Sequence, residues 1–293
     1  MAGSIDAIFE TIAETAGDVQ DGLASRRTYS EAENPSGEVQ IEADVYADEL
    51  LEKRLLAMDA VASYASEERE GVLTGDQSAP DASSGSGDSP YHVTCDPLDG
   101  SSNLKSNNGM GTIVGVYDQQ PPAPGESIVA AAYVLYGPIT TLVTAVDGTV
   151  SEYLVESGSR ELLNEDIELP DNPVVYGFGG RVPDWIPSFS EYVDQVECER
   201  LKLRYGGAMV ADLNQVLTYG GVFGYPMLQG SPEGKLRLQF EGIPMAKVFA
   251  DAGGASSDGS RSLLSKTPGR LHERSPVFVG NESLITDLEA TVE

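Results

Sequence analysis

The sequence predicts an α/β (α+β) protein, an antiparallel meander beside helices, and three observations carry that expectation. Apolar residues near the start of the chain recur at spacings of three and four, the mark of an amphipathic helix. Strand-like runs between residues 91 and 155 are separated by Pro/Gly or Asp-Gly turns, the pattern of an antiparallel meander. Beyond residue 170 strand and helix patterns are interspersed. With 293 residues, 40% hydrophobic and 22% charged, the chain has the length for one large or two ordinary domains with a sizeable core.

Taken in order, Ile5, Ile8, Phe9, Ile12 and Ala16 predict a first helix from Ile5 to about Leu23. Val45, Leu50, Leu51 and Leu55 predict a second from about Asp44 to Ala62, followed by a loop through Ser66–Glu70. The segment 77–90, rich in Ser, Gly, Asp and Pro, reads as a mobile surface loop. Strands are expected at Tyr91–Cys95, Gly111–Tyr117, Ser127–Tyr136, Thr140–Val146 and Thr149–Val155. After a polar stretch at 156–173 come a strand at Val174–Tyr176, helices at Pro187–Val196 and Ala208–Tyr219, and strands at Val222–Tyr225 and Leu236–Phe240. A further helix opens at Pro244, a residue suited to a first helical turn, and ends at Gly253 and Gly254. No internal repeat is visible, and the expected division is into domains 1–165 and 166–293.

Charge narrows the partners. Lys plus Arg number 18 against 47 Asp plus Glu, a net charge of −29, and the basic residues are scattered. A phosphate backbone or an anionic membrane surface needs clustered cations, so neither is expected to bind. No apolar run approaches the ~18 residues of a membrane span, and the N-terminus carries no basic region and has Asp6, Glu10 and Glu14 inside its apolar stretch, unlike a leader. The expected location is the cytoplasm, and Cys95 and Cys198 are too few for a disulfide framework. Lysine is scarce, at 53, 105, 202, 235, 247 and 266 only. Such a surface suits molar salt, where the Debye length falls to about 3 Å and self-repulsion is screened.

With only His92 and His272 available, chemistry is expected to rest on carboxylates. The richest string is DPLDGSSN, Asp96–Asn103, at the end of an apolar strand. Two carboxylates three residues apart can converge on one point, and Gly100, Ser101 and Ser102 follow with N–H and hydroxyl donors suited to a phosphate oxygen. Acids for hard cations beside donors for an anion are the minimal apparatus of metal-assisted phosphoryl hydrolysis. The same string also reads as an Asp-Pro, Asp-Gly turn that merely closes a strand, and Glu67-Glu68 as a solvated charge pair.

In combination the motifs decide. The triplet SEE at 66–68, DPLDGSSN, RYGGAMVADLNQVLTYGGVFGYP from 204 and KLRLQFEGIPMAKVFADAGG from 235 resemble, in order and spacing, class I fructose-1,6-bisphosphatases of the lithium-sensitive, magnesium-dependent sugar and inositol phosphatase superfamily. The resemblance is dense over 91–117 and 205–254 and looser over 38–70. It implies a layered α-β-α-β-α sandwich that hydrolyses fructose 1,6-bisphosphate to fructose 6-phosphate. It further implies Mg²⁺, with Mn²⁺ the alternative, at two or three ions per site, held by Glu67, Asp96, the Leu98 carbonyl, Asp99, Glu241 and Glu38. Asp44 and Glu68 fall on the pair that activates the attacking water. Gly100, Ser101 and Ser102 fall on the phosphate cradle, and Arg204, Tyr205, Met209, Tyr225 and Lys235 on the sugar and its second phosphate. In the family that arginine usually reaches in from a neighbouring subunit, so the resemblance implies a homo-oligomer, a dimer or tetramer.

Two departures stand out. The family's Asn and Tyr on the 6-phosphate correspond to Gly177–Arg181, which lacks both, so Arg181 is the expected replacement. The N-terminal region lacks the threonine- and glycine-containing turn of AMP-inhibited members, so strong inhibition by AMP is not expected. The altered distal pocket leaves sedoheptulose 1,7-bisphosphate and sugar or inositol monophosphates open as substrates. A non-catalytic sugar-phosphate-binding regulator is the reading from a different class.

Overall fold

A computed structural model describes residues 2–35, 37, 39–75 and 90–292. Glu38 and most of the segment expected to be a mobile loop, 77–89, lie outside the described residues. The chain opens with α1 (Ala2–Leu23), whose Ile5, Ile8, Phe9, Ile12 and Ala16 are buried as their spacing requires. A two-stranded ribbon, β1 (Tyr29–Glu33) and β2 (Val39–Ile41), leads into α2 (Glu42–Leu55). The second helix therefore stops well short of Ala62. Residues expected at its end belong instead to strand β3 (Val61–Ser66), parallel to the central strand β5 (Tyr91–Asp99). Pairing with a buried neighbour suits Val61, Tyr64 and Ala65, all buried, better than one more turn of exposed helix would.

The first sheet is completed by β4 (Leu73–Thr74), β6 (Met110–Tyr117), β7 (Ile128–Tyr136), β8 (Thr140–Val146), β9 (Thr149–Glu156) and β10 (Ser159–Asn164). Its order is β10-β9-β8-β7-β6-β5-β3-β4, antiparallel from β5 to β10, so the expected meander is present with an added strand. That strand, β10, lies in the stretch whose polarity suggested a loop. It is an edge strand with mostly exposed side chains, so burial leaves no apolar signature in it.

The second sheet, in the order β12-β11-β13-β17-β15, contains β11 (Val175–Phe178), β12 (Lys202–Leu203), β13 (Gly221–Tyr225), β15 (Ala255–Ser257) and β17 (Val277–Gly280). Short β14 (Leu236–Arg237) and β16 (Arg274–Ser275) pair separately. The expected strand at Leu236–Phe240 breaks after Arg237 into a π-helical turn, Leu238–Gly242, that runs into α5 (Ile243–Asp251).

Three hydrophobic clusters hold five layers together, the middle one spanning both faces of the central helices. In the first, α1 and α2 pack on one face of the long sheet through Ile8, Phe9, Leu51, Val93 and Val114. In the second, α4 (Met209–Tyr219) and α5 fill the space between the sheets, with Ile113, Tyr133, Val210, Phe249 and Val279 in contact. In the third, α3 (Pro187–Cys198) and α6 (Glu282–Val292) cover the outer face of the second sheet around Phe189, Tyr192 and Phe278. This is the α-β-α-β-α order expected. No helix among the described residues is long and apolar enough to cross a membrane.

Candidate active site

Strand β5 carries the central acids. Its pairing with β6 slips between Asp96 and Asp99, where Pro97 cannot donate to the ladder, and the slip lets both carboxylates enter one cleft. The Leu98 N–H donates to Asp96 Oδ1 at 3.0 Å, fixing the turn of the chain. Gly100 then takes φ of 72°, a left-handed conformation, and opens a single 3₁₀ turn over Ser101–Leu104.

A cleft of about 250 Å³ lies over this turn. Its lining includes Asp44, Glu67, Glu68, Asp96, Leu98, Asp99, Gly100, Ser101, Ser102, Tyr225, Lys235 and Glu241, which come from both sheets. A larger groove of about 1180 Å³ lies between α1, the end of α2 and the β9–β10 hairpin, but among the described residues no such convergence of buried acids occurs there. The smaller cleft is therefore the candidate site.

Glu67, Asp96 and Glu241 are all buried, and each offers a carboxylate oxygen within 4.8 Å of the others. Burial pushes Asp96 well above the usual carboxylate range, and repulsion from Glu67, Glu241 and Asp99 adds to it. Glu241 rises to about 7, chiefly by burial, although Arg237 beside it favours the ion. Three hard oxygen donors repelling one another in a desolvated pocket are a donor set for a small divalent cation, which would relieve that repulsion.

Asp99, which also lines the cleft, makes a bond of its own. The Val210 N–H donates to its Oδ2 at 2.6 Å, so Asp99 caps the start of α4, while burial raises it to about 6. Asp44 lies in the first turn of α2, where its Oδ2 accepts the Ile41 N–H at 2.8 Å. Glu68 faces it across the cleft and is raised to about 8, first by burial and then by Asp44 and Glu67. Gln40 Nε2 donates to Glu68 in a short contact that favours the carboxylate.

Among the residues expected to hold sugar, the structure brings some to the cleft and leaves others outside. Lys235 lines it, with its Nζ 6.0 Å from the centre of the Tyr225 ring, and the Tyr225 and Tyr205 hydroxyls are 3.1 Å apart. Arg204 is exposed and bonds the carbonyl of Leu203, while Arg181 is exposed and absent from the cleft wall. The Met209 side chain is 1% exposed and packs in the core between the sheets. Gly179, in the segment expected to hold the distal phosphate, has a packing reason: a Cβ there would collide with the Tyr225 ring.

Arg237 is a residue that sequence reasoning missed. It is 2% exposed, its guanidinium lies 2.9 Å from Glu67 Oε1, and its backbone N–H donates to Glu241 Oε2 at 2.6 Å. The available signal was its position between Lys235 and Glu241 in a chain poor in cations. What hid it was an alternating strand pattern that broke at that very residue.

Comparison with known proteins follows the geometry. Residues 4–163 match the family model described as fructose-1-6-bisphosphatase, N-terminal domain, and residues 169–293 the model described as its C-terminal domain. Relatives named fructose-1,6-bisphosphatase class 1 include one from Natronomonas pharaonis, 61% identical over 100% of both chains. Another, from Halobacterium salinarum, is 55% identical over 100% of this chain and 98% of its own length. Among solved structures, the holo form of Leishmania major fructose-1,6-bisphosphatase superposes with a TM-score of 0.89 at 29% identity, covering 99% of this chain and 94% of that one.

Proposed function

Because the chain belongs to the fructose-1,6-bisphosphatase family, we propose that it hydrolyses the 1-phosphate ester of fructose 1,6-bisphosphate, releasing fructose 6-phosphate and phosphate in a gluconeogenic step. The observation that carries this reading is the convergence of the buried Glu67, Asp96 and Glu241 triad, the Gly100–Ser102 turn and Lys235 on one cleft.

Glu67, Asp96 and Glu241 would hold Mg²⁺ or Mn²⁺, with Asp99, the Leu98 carbonyl and Glu38 as further donors for a second or third ion. When bound, such ions supply charge neutralisation at the phosphate and acidify a water. The chain's own groups do the rest. Gly100, Ser101 and Ser102 offer N–H and hydroxyl donors to the phosphate oxygens and hold the ester against the acid cluster. Glu68 and Asp44, acting as a coupled pair, accept the proton of the attacking water. Lys235, Tyr225 and Tyr205 hold the sugar and its distal phosphate.

Residues 1–165 would thus supply most of the metal and 1-phosphate site and 166–293 the sugar site, with Glu241 joining them. The exposed guanidinium of Arg204 supports a homo-oligomer in which it serves a neighbour's site. The distal pocket, reshaped where Tyr225 takes the space beside Gly179, keeps sedoheptulose 1,7-bisphosphate as the second reading. Phosphate release from both bisphosphates and from inositol 1-phosphate, measured in molar KCl with and without Mg²⁺, tests it. Metal-dependent turnover is expected, with the highest kcat/KM on fructose 1,6-bisphosphate, and E68Q should reduce kcat at least 100-fold. A preference for another ester would move the substrate; tight binding without turnover would make the protein a sensor.

A further inference from the structure

Three further acid-bearing elements meet strand β5 at this cleft: α2 with Asp44, the loop with Glu67 and Glu68, and the π-helical turn with Glu241. They are far apart in sequence, and their spacing must be held by something other than the acids, which repel one another. Arg69 follows Glu68 directly. Its Nε lies 2.5 Å from Asp48 Oδ2 and its Nη2 2.6 Å from Glu52 Oε2. Asp44, Asp48 and Glu52 are successive residues at i, i+4 and i+8 on one face of α2, so the fork grips the helix that carries Asp44. Asp48 is itself fixed, since its other oxygen accepts the Tyr64 hydroxyl at 2.9 Å.

The backbone of the same residue faces the other way. The Arg69 carbonyl lies 2.7 Å from His272 Nε2, and a carbonyl only accepts, so Nε2 carries the hydrogen. The imidazole packs on Phe240 with ring centres 5.1 Å apart, beside Glu241 in the π-helical turn. The segment around His272 is anchored to that turn a second time, because the Leu238 N–H donates to the Glu273 carbonyl at 2.8 Å. A continuous path thus runs from α2 through Arg69 and His272 to the turn.

We propose that Arg69 and His272 are positioning residues, a brace that sets the separation of α2, the Glu67–Glu68 loop and the Glu241 turn, and so tunes divalent-ion affinity and turnover without touching substrate. The inference rests on the metal-dependent phosphatase reading given above.

The test titrates substrate-free protein with Mn²⁺ by calorimetry in molar KCl and measures kcat and KM with Mg²⁺ on the same preparations. H272L keeps bulk but has no donor; H272Q restores an N–H at the position of Nε2. Loss of such outer partners typically costs 10- to 100-fold in metal affinity. H272L is therefore expected to weaken Mn²⁺ at least about tenfold and lower kcat, with KM within about twofold and recovery in H272Q. R69K, which cannot fork between Asp48 and Glu52, reads the brace from its other end should H272L fail to fold. Folded H272L or R69K with wild-type Mn²⁺ affinity would overturn the brace, as would H272Q as impaired as H272L. Wild type that binds no Mn²⁺ and turns nothing over would instead sink the phosphatase reading and the brace with it.

Discussion

Asp212 has no part in the proposed chemistry, yet it fixes the segment that leads to the proposed sugar site. Its carboxylate accepts the Gly206 N–H at 2.6 Å and the Gly207 N–H at 3.2 Å, while burial raises it to about 6. A carboxyl raised above its unfolded value contributes stability that is complete below that value and lost as the pH climbs through the folded one. Wild-type stability relative to D212N is therefore expected to fall between about pH 4 and about pH 7, which thermal melts of both proteins across that range would check. Arg237 predicts a larger effect. R237M leaves Glu67 buried without its guanidinium neighbour, and removing one partner of a buried pair costs about 3–5 kcal/mol. Denaturant unfolding of the metal-free variant measures it, and added Mg²⁺ should recover part of the loss. DPLDGSSN and the Glu67-Glu68 pair supplied eight of the eighteen residues that line the cleft; the roles of Arg237 and His272 were not legible, because they come from neighbours 170 and 203 positions away.

Elements of this fold change course where the site needs a side chain. The turn from β5 into Ser101 depends on Gly100, whose φ is 72° and whose Cβ, if present, would collide with Ala208 Cβ and lie within 2.9 Å of its Cα. Handedness alone costs about 1–2 kcal/mol for a residue with a Cβ. G100A should lower both the melting temperature and kcat/KM, while a variant that kept its kcat/KM would show that the cradle tolerates displacement. The π-helical turn at Leu238–Gly242 was invisible because LRLQF alternates as a strand does, and only the need to aim Glu241 at β5 breaks the pattern. Away from the site, Arg160 ties β10 to α1 through Asp6 and Glu10 at 2.5 and 2.7 Å, with its guanidinium over the Tyr153 ring. R160A should cost about 1 kcal/mol in dilute buffer and less in molar KCl, with kcat unchanged. An equal loss at both salt concentrations would assign the contact to packing on Tyr153.

At the scale of the whole molecule the governing quantity is the charge of −29. Relatives from Natronomonas pharaonis and Halobacterium salinarum share the chain from end to end. Self-repulsion acts on the entire surface and opposes compaction, and at molar ionic strength it is screened within about 3 Å. The melting temperature is expected to rise continuously as KCl is raised from about 0.1 M to molar levels, followed by near-UV circular dichroism. A flat profile would mean that the acids are dispersed widely enough for water alone to separate them.

Periodicity by itself determined five of the six described helices, α6 being missed, and strands β5 to β9, β11 and β13, because each presents one continuous apolar face to one core. Length and composition determined that such cores could form, and the ordered motifs determined the family. The tertiary structure alone decided where α2 ends, that β10 is a strand, and that the run after Leu236 turns. It also decided that the Met209 side chain lies in the core while the Arg237 guanidinium lies beside Glu67. The reason is physical: a local pattern records which face of an element is buried. The ends of elements and the partners of buried charges depend on segments that meet only after the chain has folded.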